Sequence, residues 1–294
     1  MAYLGVIIIW STTPLAIKWS GETTGFLLSV TGRMVLSTIL CLLLIVWLRV
    51  AFPWHRAARL SYFAASIGIY GALISTYWAA QFIPSALISV LFGLAPIVTS
   101  VLTMMWLGDR FLSLNKWLGM GLGVIGLAFI FNSDLAIGHD SIKGLFAILF
   151  AIFLHSFSAV WVKRLNVTLS PLALTGGGLL MALPLYGITW LIWGEPLPTT
   201  FSSRSVFAII YLGIFGSVIG FILYYYLIKK IDVKQVALTT LITPIIALFL
   251  GQNLNGEAIT PDVWLGSGIV LSGLALYQWG EGLIKKISAF KASL

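Results

Sequence analysis

Charge is scarce in this chain: Asp, Glu, Lys and Arg make up 9% of its 294 residues. A soluble domain carries about 25%, so a surface covered by water is excluded. Cysteine is scarcer still. Cys41 stands alone, which excludes a disulfide framework and a cysteine-built zinc site. All nine carboxylates lie between apolar runs or at their ends. The nearest to an exception is Glu281, four residues before Lys285, the spacing of an exposed helical pair. No phosphate-binding G-x-x-x-x-G-K-[ST] loop occurs, so no nucleotide partner is expected. The net charge of +8 sits in short clusters between apolar runs, not along one face, so no nucleic-acid partner is expected either. There is no H-E-x-x-H and no aspartate pair, and the neighbours His155 and Ser156 cannot face each other on a helix. The chain is therefore not expected to be an enzyme, nor to hold a metal or any other cofactor.

What fills the chain is apolar sequence, 60% hydrophobic with a mean hydropathy of +1.03. A membrane-crossing helix takes about 20 residues, and ten apolar stretches can be marked. They run over about 3–18, 25–48, 60–80, 84–107, 117–133, 144–162, 171–193, 206–228, 235–254 and 263–284, with ends read to within about 2–4 residues. Cys41-Leu42-Leu43-Leu44-Ile45-Val46-Trp47-Leu48 is apolar on every side, whereas a barrel strand alternates. These are helices in a lipid bilayer. The first lacks a basic leader and a cleavage site, and is read as a retained helix. With the N-terminus inside, thirteen of the seventeen cations fall on the cytoplasmic side. The exceptions are Lys18, Lys143 and Arg204 outside and Arg33 within a helix. That asymmetry places both termini in the cytoplasm.

The two halves echo each other. Leu107-Gly108-Asp109 precedes Trp117-Leu118-Gly119 and Gly126-Leu127, and Asn255-Gly256-Glu257 precedes Trp264-Leu265-Gly266 and Gly273-Leu274. Pro96 and Pro244 are 148 residues apart, as are Asp109 and Glu257. Five helices per half is an odd number, so the second copy enters the membrane inverted, the arrangement of secondary carriers with a midplane site.

The stretch from Pro84-Ser85-Ala86 through Leu94-Ala95-Pro96 to Leu107-Gly108-Asp109-Arg110 carries a family resemblance, together with Trp10-Ser11-Thr12-Thr13-Pro14, Lys18 and Arg33. With Gly256-Glu257 and Trp264-Leu265-Gly266, the sequence resembles the drug/metabolite transporter superfamily, in particular its EamA-type ten-helix exporters. Asp109 departs from the glutamate usual in that family. The resemblance implies an all-α integral membrane fold of ten helices in two inverted five-helix repeats, 1–133 and 134–294. It implies an inner-membrane exporter of small metabolites by alternating access.

With no acid inside a span, antiport of a cationic drug against protons is disfavoured, and neutral, zwitterionic or anionic solutes fit better, neutral or zwitterionic metabolites such as amino acids first. Proton coupling stays open, because His155 lies within the sixth stretch; its alternative is a neutral imidazole bonded between helices. A lipid or lipid-linked-sugar flippase, or an uptake carrier, are the rival functions. The substrate site is expected where the first helices of the two repeats meet. Trp10, Ser11 and Thr13 stand in one, and His155, Ser158 and Trp161 in the other, with Tyr77, Trp78, Tyr224 and Tyr225 as further contributors. Arg33 could grip an anion or reach for the interface, and is assigned a structural or gating part. Pro14, Pro96 and Pro244 are read as bends, the last two at equivalent places. Gly121-x-Gly123-x-x-Gly126 matches a dinucleotide fingerprint in letters only; lying inside a span, it is read as close helix packing, as is Gly216-x-x-x-Gly220.

Overall fold

The computed structural model describes residues 2–107, 113–131, 140–194, 196–220, 222–223 and 233–292. Helices make up most of these residues, with no strand among them. The helices are α1 (Ala2–Gly21), α2 (Gly25–Trp47), α3 (Arg56–Ile67), α4 (Leu73–Ala79), α5 (Ser85–Phe92) and α6 (Ala95–Leu107). They continue with α7 (Leu114–Phe131), α8 (Ser141–Leu165), α9 (Pro171–Trp193), α10 (Ser203–Tyr211), α11 (Val233–Asn255) and α12 (Pro261–Ala292). A π-helical turn, π1 (Gly68–Ala72), joins α3 to α4, and a longer one, π2 (Leu212–Ile219), continues α10. Five segments are long and apolar enough to cross a bilayer: Gly25–Trp47, Arg56–Ala79, Ser85–Leu107, Ser141–Leu165 and Pro171–Trp193. Leu114–Ile130 and Ser203–Ile219 are shorter apolar helices. The chain is thus an all-helical, multi-pass membrane protein.

Lipid offers apolar side chains no reason to leave it, so helices must hold each other by close approach and hydrogen bonds. The pair α7 and α12 shows the first. A Cβ on Gly126 would stand 2.6 Å from Gly266 O, and one on Gly119 would stand 2.6 Å from Gly273 O. Gly266 and Gly273 return the same contacts on the oxygens of Gly126 and Gly119, at 2.8 and 2.6 Å. The two helices therefore run antiparallel, backbone on backbone, and the repeated Trp-Leu-Gly motif is the seam between them. Gly121 takes no part, since a Cβ there meets nothing within 4 Å. Of the fingerprint-like glycines, Gly126 packs against backbone, and Gly123 would press only on Leu94 Cδ2, at 3.1 Å.

Hydrogen bonds join other helices. Ser158 Oγ donates to Ala64 O at 2.7 Å, tying α8 to α3. Thr12 Oγ1 and Tyr211 Oη lie 2.6 Å apart, tying α1 to α10. The π turns leave carbonyls outside the regular ladder, and long or buried side chains reach them. Tyr186 Oη on α9 donates to Ile69 O in π1 at 2.7 Å. Ser37 on α2 shares its hydrogen between Arg33 O and Gly213 O in π2, at 2.7 and 3.2 Å.

One end of the bundle is knitted across the chain. Glu257 receives Ser85 N and Ala86 N at 2.9 and 3.2 Å, so its carboxylate caps the N-terminus of α5 from the far half of the sequence. Gly256 allows this with φ +60, and Gly251 leaves the room: a Cβ there would lie 2.5 Å from Glu257 Oε2. Asn255 Nδ2 donates to the same carboxylate at 3.0 Å, and Asn255 Oδ1 accepts from Trp19 Nε1 at 2.8 Å. Lys18 Nζ donates to Ile83 O at 3.0 Å, and Arg204 stacks over Trp19 while meeting Glu22 at 3.4 Å. Nearly all these residues belong to the side that the cation asymmetry assigns to the outside.

The expected pair of bends is unequal. The span through Pro96 breaks at Gly93-Leu94, so Pro96 falls in the first turn of α6, where no amide hydrogen is needed. In the second half α11 runs on through Pro244. Gly93 loosens the first break, and Leu241 stands at the equivalent place in the second half.

Candidate functional site

Arg33 sits about 12 Å into α2, 3% exposed, in a span whose neighbours are α1, α4, α9, α10 and π2. Its Nε donates to Ser217 Oγ in π2 at 3.0 Å. Its guanidinium carbon lies 6.0 Å from the ring centre of Tyr77, which is itself 1% exposed. Gly216 adjoins: a Cβ there would stand 3.4 Å from Arg33 Nη2 and 3.6 Å from Thr13 Oγ1. One turn on, a Cβ on Gly220 would stand 3.4 Å from Trp10 Nε1. Gly216 and Gly220 thus clear a strip beside α1, and along it Arg33, Tyr77, Thr13 and Trp10 come together. No carboxylate reaches Arg33 among the described residues, where the ion pairs are Lys143–Asp140 and Arg204–Glu22, both at helix ends.

The second group of expected residues divides. Exposed Phe146, Phe150 and Phe153 follow one side of α8, with half-buried Phe157 and Trp161 on the same side. At about 100° per residue, His155 and Ala159 fall on the opposite side, and both are exposed. A residue turned away from the lipid stripe and still exposed faces an opening within the bundle. Phe92 lies beside His155, ring centres 6.1 Å apart. Trp161 faces elsewhere, packing on Phe63, Trp106 and Phe157. Six residues separate Trp161 from His155, about 240° round the helix, so the two expected site residues of α8 stand on different faces.

Other expected residues are engaged in packing. Ser11 Oγ donates to Ile7 O at 2.6 Å and Thr13 Oγ1 to Ile9 O at 2.7 Å, bonds within α1. Ser158 is spent on Ala64 O, and Ser156 Oγ reaches Ala95 O at 3.3 Å beside the broken span. Trp78 packs edge-on against Phe82 near the outer end. Pro14 is buried within α1. Tyr224 and Tyr225 lie outside the described residues, as does the 108–110 segment with Asp109. The first helices of the halves have largely different neighbours: α1 packs on α2, α4, α5, α10, π2 and α11, and α8 on α3, π1, α4, α5 and α6. Both touch α4 and α5, so the two groups flank the start of the broken span. Sequence reasoning missed Ser217, Tyr186 and the capping work of Glu257. Only the last carried a sequence signal, its place in the repeated motif.

The EamA-like transporter family model matches residues 1–132 and 142–278. Protein PagO of Salmonella typhimurium is 26% identical, covering 88% of this chain and 85% of its own length. An uncharacterized inner membrane transporter of Escherichia coli, YedA, is 24% identical over 96% of this chain and 91% of its own. An uncharacterized transporter of Archaeoglobus fulgidus is 24% identical over 91% and 94%. A protein of solved crystal structure superposes with a TM-score of 0.65 over 94% of both chains at 18% identity, a likeness of fold.

Proposed function

Because the chain belongs to the EamA-like transporter family, we propose that it is an inner-membrane secondary carrier exporting small neutral or zwitterionic metabolites, such as amino acids, by alternating access. Ten spans in two inverted repeats, 1–133 and 134–294, fit the contacts. The glycine seam of α7 and α12 is reciprocal, and the α8–α3 and α1–α10 hydrogen bonds are each other's counterparts. The observation that carries the reading is His155, exposed on the inward face of α8 while the outer ends are tied by Glu257, Asn255 and Lys18. An opening on one side and a closure on the other is one state of an alternating-access cycle.

The test is flux of a panel of radiolabelled metabolites into proteoliposomes, with and without a pH gradient. Saturable movement of zwitterionic solutes is expected, at least about tenfold slower in His155→Ala if that group lines the path. A panel in which no solute moves faster than through empty vesicles sinks the carrier reading. Both termini are proposed to be cytoplasmic, from the division of cations. Phosphatase fusions at either end should be inactive, and an active fusion would reverse the topology.

A second reading has its own observation. An apolar groove of about 410 Å³ lies between α3, π1, α8 and α9, lined by Phe63, Tyr70, Phe150 and Leu154 among others. It opens beside the exposed phenylalanine stripe, as a path for an acyl chain would. Scrambling of a fluorescent phospholipid in the same vesicles, without solute flux, would favour a flippase.

A further inference from the structure

We propose that Arg33 and Tyr77 form a carboxylate-binding subsite that holds the acid group of the transported solute. The inference rests on the carrier reading and names the chemical group that the carrier recognises.

A guanidinium is always charged, and a buried charge with no counter-ion is costly in a medium of low dielectric. Arg33 is such a charge. Among the described residues its Nη1 is buried without a hydrogen-bond partner, and no carboxylate lies within ion-pair distance. Tyr77, whose ring centre lies 6.0 Å from the guanidinium carbon, likewise has its Oη buried without a hydrogen-bond partner among the described residues. Two donors with no acceptor therefore stand on one strip, in a protein that satisfies most of its other buried hydroxyls within the helices. Their shared want is an acceptor carrying negative charge. A planar carboxylate matches the guanidinium fork and leaves an oxygen for a phenol.

The surroundings fit an acid that arrives and leaves. Ser217 fixes Nε at 3.0 Å, which holds the fork in place and leaves Nη1 free. Gly216 keeps space beside Nη2 that any side chain would take. Thr13 and Trp10 continue the strip from there, so a solute anchored at Arg33 would lay its remaining atoms along a hydroxyl and an indole. Arg33 is closed off at 3% exposure in this state, so the acid must enter in another one. The arginine would then pass from an uncompensated charge to a paired one on loading, a difference in energy between the empty and loaded carrier.

The test uses the full chain in lipid nanodiscs, with thermal melting read by tryptophan fluorescence at constant ionic strength. The probes are matched acids and amides: acetate and acetamide, benzoate and benzamide, L-phenylalanine and L-phenylalaninamide. At least one acid should stabilise the protein at concentrations about tenfold to a hundredfold below those of its amide. Arg33→Gln should abolish that preference, and should melt no lower than the unaltered protein when no probe is present. Tyr77→Phe should weaken the acid about threefold or more while leaving the probe-free melting point unchanged, a readout that stands if the arginine variant fails to fold. Equal action of acids and amides, or no stabilisation by any acid, overturns the subsite. So does an acid preference that survives in Arg33→Gln. Sodium chloride that stabilises alone and competes with the acids would make the ligand an inorganic anion and overturn the assignment to solute. Solute flux in vesicles without any acid preference would leave the carrier and remove the subsite. Acid preference in a protein that moves nothing would do the reverse.

Discussion

Gly126→Leu should leave no folded protein, while Gly121→Leu, five residues away on the same helix, should behave as the unaltered chain. At Gly126 an added carbon would stand 2.6 Å from Gly266 O and 2.8 Å from Val270 N. Both are backbone atoms that no rotamer change can move aside. The helices must separate, and with them go the reciprocal contacts of Gly119, Gly266 and Gly273. Overpacking costs about 1–3 kcal/mol where side chains can yield. Against backbone the cost is larger, and it falls on a total stability of only about 5–15 kcal/mol. At Gly121 an added carbon meets nothing within 4 Å. Size-exclusion profiles of the detergent-purified variants decide the matter. A monodisperse Gly126→Leu peak at normal yield would mean that α7 and α12 are not held by this seam.

Glu257→Ala should loosen the end of the bundle that it ties, the end proposed to face outward. It removes the acceptor for Ser85 N, Ala86 N and the Asn255 amide, leaving two helix-start amides without partners. Loss of such a cap costs about 1–2 kcal/mol for each bond to a charged acceptor. If the cap holds only in the outward-closed state, that energy shifts the population towards outward opening by about tenfold or more. The measurement is the labelling rate of Thr13→Cys by a membrane-impermeant maleimide added from outside. Cys41, which is buried, serves as the silent background. A rate unchanged by Glu257→Ala would reduce the cap to a static feature of the fold.

Composition made the membrane class plain, because lipid demands apolar residues all round a helix and few charges anywhere. The glycine seam was legible for a related reason: backbone contact allows one residue type, so Gly119, Gly126, Gly266 and Gly273 stand out at matching offsets. The faces were not legible. A helix apolar on every side hides which stripe meets lipid, so the six-residue spacing that sets His155 and Trp161 on different faces could not say which of the two faces inward. The arginine was visible as an oddity, yet sequence cannot show that nothing answers its charge. The difference between Pro96 and Pro244 turned on Gly93, a residue outside the shared motif. Tyr186 and Ser217 carried no signal at all: the first answers an irregularity of the backbone and the second a distant arginine, and no residue pattern announces either.

A π turn holds one residue more than the α turn it replaces. Were Leu212–Ile219 to relax to α-helix, every side chain beyond the change would swing by about 100° relative to those before it. Ser217 would then leave Arg33 Nε, and with it the hydrogen bond that holds that guanidinium among the described residues. The register of a single backbone segment would thus decide whether the arginine is tethered or at liberty to turn, with no hinge, loop or domain having moved.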